Sequence, residues 1–294
     1  MTSAAQAPLL SEQDLAELIA ECERGCGTLA HQLISLKQRL GPYASPWLGS
    51  GFEYQESRPY QPGDPVRQIN WRYFARTGQL YTRLYEQERQ ARLLLVVDRR
   101  DVMRFGTRRR LKAAQAMRLA LAMTRLATAE GMGVQLQVLE DGAPLSPLFQ
   151  GPQAFERVEA LLNTPCPPGE PTTDDWAQMR LAVEQLPAGS LIVLIGDLWD
   201  LEVKLVRWLT ALAPHKVVSA VWVQDQAELS LPPQRMVLHG MDGRGGRLFD
   251  PQTAEAYGVW AEQRLRRKLS ELQGEGLPVY RLMSHDTLET FRHG

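Results

Sequence analysis

The sequence predicts an α/β domain: a mostly parallel sheet with helices on both faces, preceded by a helical and irregular N-terminal extension. Three observations carry this. ARLLLVVD at Ala91–Asp98 and LIVLIGD at Leu191–Asp197 are composed like strands buried on both faces, and each ends in an aspartate. Strand and helix patterns alternate from about residue 90 onward, as in βαβ units. The 294 residues, 44% of them hydrophobic and 23% charged, suffice for one large domain or two modest ones. They exclude a disordered, collagen-like or disulfide-scaffold chain.

The elements follow in order. Residues 11–40 read as a helix with Leu15, Leu18, Ile19, Cys22, Cys26, Leu29, Leu33, Leu36 and Leu40 on one stripe and Ser11 as N-cap. Residues 41–62, rich in Gly, Pro, Tyr and Ser, read as irregular. Gln79–Glu86 is a short extended stretch after the Thr77-Gly78 turn signal, and Ala91–Asp98 is the first buried strand. Arg109–Glu130 is a long helix with an apolar face (Leu111, Ala114, Met117, Leu121, Leu126), a polar stripe (Lys112, Gln115, Arg118, Arg125) and Gly131 as its stop. Val134–Leu139 is a strand, Pro152–Leu162 and Asp174–Gln185 are helices, and Asn163–Pro171 is a Pro-rich loop. After the strand Leu191–Asp197 come a helix at Leu201–Leu212 and a strand at Lys216–Val223. A Pro- and Gly-rich connection with a short hairpin covers 224–251, followed by a helix at Ala254–Gln273, a strand at Pro278–Leu282 and a terminal helix. The domains are therefore 1–89, a helix plus a Gly/Tyr/Arg-rich segment, and 90–294, the α/β domain.

Composition narrows the role. The net charge is −1, so no global field attracts nucleic acid or acidic lipid. Charge is uneven, however. Between Ser50 and Lys112 there are 13 arginines and one lysine against seven acids, a net of +7 inside a neutral chain. Two readings stand for this block: internal pairing of Arg58, Arg67, Trp71 and Arg76 with Glu53, Asp64, Glu86 and Glu88, which would pin the N-terminal segment to the domain, or a docking surface. No run reaches the roughly 18–20 apolar residues of a membrane span, and no signal peptide is seen. Three cysteines make no disulfide framework, and a reduced, cytoplasmic protein is expected. Cys22 and Cys26 fall on the apolar stripe and are assigned to the core rather than to a metal.

The most specific string is GSGFEYQESRPYQPGDPVRQINWRYFAR at Gly49–Arg76. With Glu88, Asp98, MRFG at Met103–Gly106, LIVLIGDLWD and the AELSLP string at Ala227–Pro232, it resembles the bacterial domain-of-unknown-function 58 family over residues 45–292. Matching positions include Glu53, Arg58, Tyr60, Gly63, Asp64, Arg67, Trp71 and Arg76. Two acids of the family pattern are replaced, by Pro65 and Asn70. The resemblance implies a three-layer von Willebrand factor A-like (Rossmann-like) domain. It also implies work alongside a MoxR-type AAA+ ATPase, with no established chemistry.

That fold often holds magnesium above its sheet through a D-x-S-x-S loop, a threonine and a later aspartate. Here Asp98, Thr173 and Asp197 fit three of the five positions, but Arg100 and Val102 stand where the serines belong. Valine cannot coordinate a hard cation. A guanidinium about 4 Å from it repels it by roughly 4 kcal/mol at an effective dielectric near 20. The metal site is therefore read as degenerate and unoccupied, with Arg99 or Arg100 as a built-in counter-charge to Asp98 and Asp197, while Asp101 could complete a ligand set.

No G-x-S-x-G, no GxxxxGK[ST] and no paired histidines occur. The expected function is a non-catalytic adaptor that engages a MoxR-type ATPase or its client, with no cofactor and no nucleic acid. One alternative is a magnesium-dependent ligand-binding domain. A second is a hydrolase using Asp98 and Asp197 as its acid pair.

Overall fold

The computed structural model describes residues 8–24, 54–61, 69–85, 91–140, 143–165, 175–232, 235–238, 247–288 and 292–293. Five parallel strands form the main sheet: β3 (Arg92–Asp98), β4 (Gly133–Leu139), β5 (Leu191–Gly196), β6 (Val217–Gln224) and β9 (Val279–Met283). A short antiparallel strand, β10 (Arg292–His293), is added beside β9. The order across the sheet is β4-β3-β5-β6-β9-β10. The chain first steps from β3 outward to β4, then returns across β3 to β5 and continues the other way. The reversal lies between β3 and β5.

Period-two alternation sorts the strand residues into two cores. Leu93, Leu95, Val97, Leu136 and Val193 face α3 (Lys112–Ala129) and α4 (Ala154–Leu162). Leu94, Val96, Ile192, Leu194 and Trp222 face α5 (Asp175–Glu184), α6 (Val203–Thr210) and α8 (Pro251–Gly274). The result is the expected α/β sandwich. The N-terminal helix α1 (Glu12–Glu23) shares the first core, since Leu10 and Leu18 are buried within it. Ser11 caps α1 in a capping box with Asp14, as its sequence suggests.

A second unit is built from β1 (Tyr54–Pro59) and β2 (Tyr81–Tyr85), paired antiparallel around α2 (Trp71–Thr77). Strand β1 lies in the segment expected to be irregular. The side-chain oxygen of Asn70 accepts from the Tyr73 amide, 3.1 Å away, and caps α2. Asparagine and aspartate cap equally well, so the replacement of the family's acid there keeps the helix start. Gly78 ends α2 at φ +68°, the left-handed conformation that glycine adopts without strain.

The Pro/Gly-rich connection contains a capped turn of helix, α7 (Gln226–Leu229), and a hairpin of β7 (Met236–Leu238) and β8 (Arg247–Phe249). Among the described residues the expected terminal helix does not appear: residues 284–288 are turns and bends, and Arg292–His293 pairs with β9 as strand β10. Ser284 is held to the sheet instead, its amide donating to the Gln224 carbonyl at 2.7 Å.

The free edge of β4 is covered by the chain that follows it. Val134 and Phe149 exchange two amide–carbonyl bonds of 2.8 Å each. The Ser146 hydroxyl accepts from the Leu136 amide at 2.8 Å, and the Ser146 amide donates to the Leu136 carbonyl.

Candidate functional site at the carboxyl edge of the sheet

Open α/β sheets bind ligands outside the carboxyl ends of their strands, where the strand order reverses. Here that place lies between the ends of β3 and β5, which deliver Asp98 and Asp197. Asp98 is the last residue of β3 and is buried. Its side chain lies across Gly196 at the end of β5. A Cβ added to Gly196 would stand 2.3 Å from the Cβ of Asp98, so only glycine leaves the room.

Arg100 closes over Asp98. Its backbone amide and Nε both donate to Oδ1 at 3.0 Å, and Nη2 donates to Oδ2 at 2.8 Å. The guanidinium then reaches outward to Asp200, through Nη2 to Oδ1 at 3.2 Å and through Nη1 to Oδ2. The Trp176 ring stands 5.1 Å from its centre, within cation–π range. Burial pushes the Asp98 carboxyl up from its ordinary value, against the pull of Arg100. For Arg100, burial is outweighed by Asp98 and Asp200, and the guanidinium is held above its ordinary value.

Asp197 has a different cation. Lys112, the first residue of α3, is buried and donates to Asp197 Oδ2 at 2.7 Å and to Glu228 Oε1 at 2.6 Å. Burial alone would lower the ammonium, but the two carboxylates hold it above its ordinary value. Burial raises Glu228 in turn, despite Lys112. The other Asp197 oxygen accepts from the Trp199 amide at 3.0 Å.

A third aspartate follows β6. The Asp225 carboxylate caps α7 through Ala227 and accepts from the Thr107 amide at 3.0 Å, the Thr107 hydroxyl and the Ser284 hydroxyl at 2.7 Å. Burial raises it, but these donors outweigh burial and hold it below its ordinary value. The β3–α3 loop, α7 and the end of β9 are thereby tied to one carboxylate.

Of the sequence-derived metal set, Asp98 and Asp197 come to neighbouring strand ends, but each holds its own cation. Thr173 lies outside the described residues, as do Glu53, Gly63, Asp64 and Arg67 of the family string. Asp101 pairs with Arg104 at 3.1 Å, away from any ligand set. Among the described residues no group of three His, Cys, Asp or Glu side chains could hold a metal. Of the two arginines, Arg100 takes Asp98. Arg99 turns away to the hydroxyl and carbonyl of Thr164 and to Glu140.

The sequence places Lys112 only on a polar helix stripe and gives no site role to Asp200, Asp225 or Glu228. One signal was available: Lys112 is one of only five lysines and opens a helix rich in Ala, Met and Leu. Arg58 sits in β1, opposite Thr82. The Tyr60 amide donates to the Leu80 carbonyl at 3.0 Å, and Trp71 and Arg76 are exposed on α2.

A family profile described as "Protein of unknown function DUF58" matches residues 56–274, about three-quarters of the chain. The protein belongs to the DUF58 family. Its relatives include uncharacterized proteins of Mycobacterium bovis and Mycobacterium tuberculosis, each 29% identical over 211 residues. The match covers 68% of this chain and 65% of each relative, so this DUF58 chain spans just under two thirds of their length. The Gly/Tyr/Arg string that opens the resemblance lies partly within the matched region, and the carboxyl-edge residues Asp98, Arg100, Lys112, Asp197 and Asp225 lie wholly within it.

Proposed function

We propose that this DUF58 protein is a non-catalytic adaptor, with a von Willebrand factor A-like domain and a degenerate metal site, working with a MoxR-type AAA+ ATPase or its client in the bacterial cytoplasm. One observation carries the reading. Helix α2 displays Trp71 and Phe74 in a T-shaped, edge-to-face pair, with ring centres 6.2 Å apart, at 54% and 39% exposure. Arg72 and Arg76 are exposed on the same short helix. Tryptophan and arginine are the residues that anchor protein interfaces. Every element of α2 is dispensable to the core, because no residue of the helix is buried.

The ion-paired carboxyl edge supports the same reading. Asp98 and Asp197 each face a cation of the chain itself, which occupies the carboxylates that a hydrolase would use as acid and base. No described helix is long and apolar enough to cross a membrane.

The test is co-elution of the full chain with a MoxR-type ATPase of the same organism, without nucleotide, with ADP and with ATP. Binding in at least one state is expected. The Trp71→Ala/Phe74→Ala double variant should lose it while keeping the wild-type Tm. Absence of binding in all three states overturns the proposal, as does undiminished binding by the double variant.

A further inference from the structure

Arg100 uses both edges of its guanidinium, and the two edges differ. The inner edge, Nε and Nη2, grips Asp98, whose side chain is 3% exposed. The outer edge, Nη1 and Nη2, meets Asp200, whose side chain is 48% exposed. We propose that the outer edge of Arg100 is a binding site for an acidic side chain of a partner protein, and that Asp200 is its resident competitor. The proposal deepens the adaptor reading by giving the carboxyl edge a ligand, and its test does not involve the ATPase.

Three features support it. First, the guanidinium is fixed before any ligand arrives, by the buried Asp98 below it and by Trp176 beside it. A fixed fork loses little freedom when a carboxylate docks bidentately. Second, the carboxylate already there is held on the solvent side only, and exposed pairs are weakly held. Exchange leaves the charge at the guanidinium unchanged, so an incoming carboxylate meets no added repulsion once Asp200 swings away. Third, the loop that follows Arg100 exposes apolar side chains, Val102 at 47% and Phe105 at 38%. An acidic residue flanked by apolar ones fits such a surroundings. The position, at the reversal of strand order, is where this class of sheet places its ligands.

The experiment uses the full chain labelled with 15N-arginine. The Arg100 Nε–H signal, assigned with Arg100→Lys, is followed while the peptide Ac-Leu-Glu-Leu-NH2 is added. The glutamine peptide Ac-Leu-Gln-Leu-NH2 is the control. Asp200→Asn removes the competing charge at an exposed position and should keep the wild-type Tm. A saturable shift is expected in Asp200→Asn, with a Kd about three- to fivefold below that of the wild type, the factor that loss of a weak exposed pair allows. The glutamine peptide should give none. No saturable shift in Asp200→Asn overturns the site. Equal Kd values in the two proteins overturn the competitor role, and equal binding of the glutamine peptide overturns carboxylate recognition.

Discussion

Gly196 and Asp225 show how single residues set the carboxyl edge. Gly196 has no side chain because the Asp98 side chain occupies that space, 2.3 Å from where a Cβ would be. Gly196→Ala must push β3 and β5 apart or tilt Asp98 off Arg100. Overpacking of this kind costs about 1–3 kcal/mol, which urea unfolding will register as a lower midpoint at unchanged slope. Asp225 carries a pH signature. Its carboxyl is held below the ordinary value of 3.8 in the folded protein, so its ionised form stabilises the fold above that value, and the contribution is lost as pH falls through the folded value. Asp225→Asn should therefore be less stable than the wild type by a constant amount from about pH 5 to 7. The gap should narrow below about pH 4 in chemical denaturation at each pH. A gap that widened in acid would contradict the assignment.

Helices α1 and α3 act together. The stripe of Lys112, Gln115 and Arg118 has the spacing of a solvent-facing side, yet all three are buried. Lys112 serves the carboxyl edge, and Arg118 pairs with the buried Glu21 of α1 at 2.7 Å. Arg109 meets Glu17 of α1 at 2.5 Å near the surface. Part of the basic block thus answers acids within the chain. Glu21→Ala leaves Arg118 buried without its counter-charge, and such breaks cost about 3–5 kcal/mol. Glu17→Ala removes an exposed pair, which costs at most about 1 kcal/mol. Unfolding of the two variants side by side checks the contrast. These helices also show how far the sequence could be read. The first part of the N-terminal apolar stripe (Leu15, Leu18, Ile19 and Cys22) and the runs of β3 and β5 are legible through period and composition, and the structure has them, while Cys26, Leu29, Leu33, Leu36 and Leu40 lie outside the described residues. The burial of a polar stripe could not be read, because it depends on which helix lies across it. The terminal helix failed for a related reason: backbone pairing with β9 takes the last residues, and no local pattern in the sequence records that partner. The aspartates were conspicuous at their strand ends. Arg100, two residues from Asp98, is legible as its counter-charge, whereas Lys112 is hidden because it lies 85 residues from Asp197.

At the scale of the molecule, the carboxyl edge carries its cations as side chains. Lys112 and Arg100 stand at the strand ends where a divalent ion would need free oxygens. Millimolar magnesium or manganese should leave Tm unchanged. A ligand at a hundred times its Kd would add about 2.7 kcal/mol of stability, an easily measured rise. A rise abolished by Asp98→Ala would restore a working metal site. Asp98 and Asp197 were found from the sequence because the fold puts aspartates there. What those aspartates bind is set by the β3–α3 loop and by α7, whose sequences carry no general rule.

The strip of chain along β4 has a consequence for behaviour in a crowded cell. An open strand edge is a template on which other chains can add, and growth of such contacts leads to aggregates. Residues 143–149 supply Ser146 and Phe149 to the outer bonds of β4, and β10 lies beside β9 at the far side of the sheet. With the β4 margin covered by its own backbone and the β9 margin ending in a strand of only two residues, the main sheet offers little purchase for strand-by-strand growth. Such a protein can accumulate, or be gathered onto a large partner at high local density, without one copy seeding the precipitation of the next.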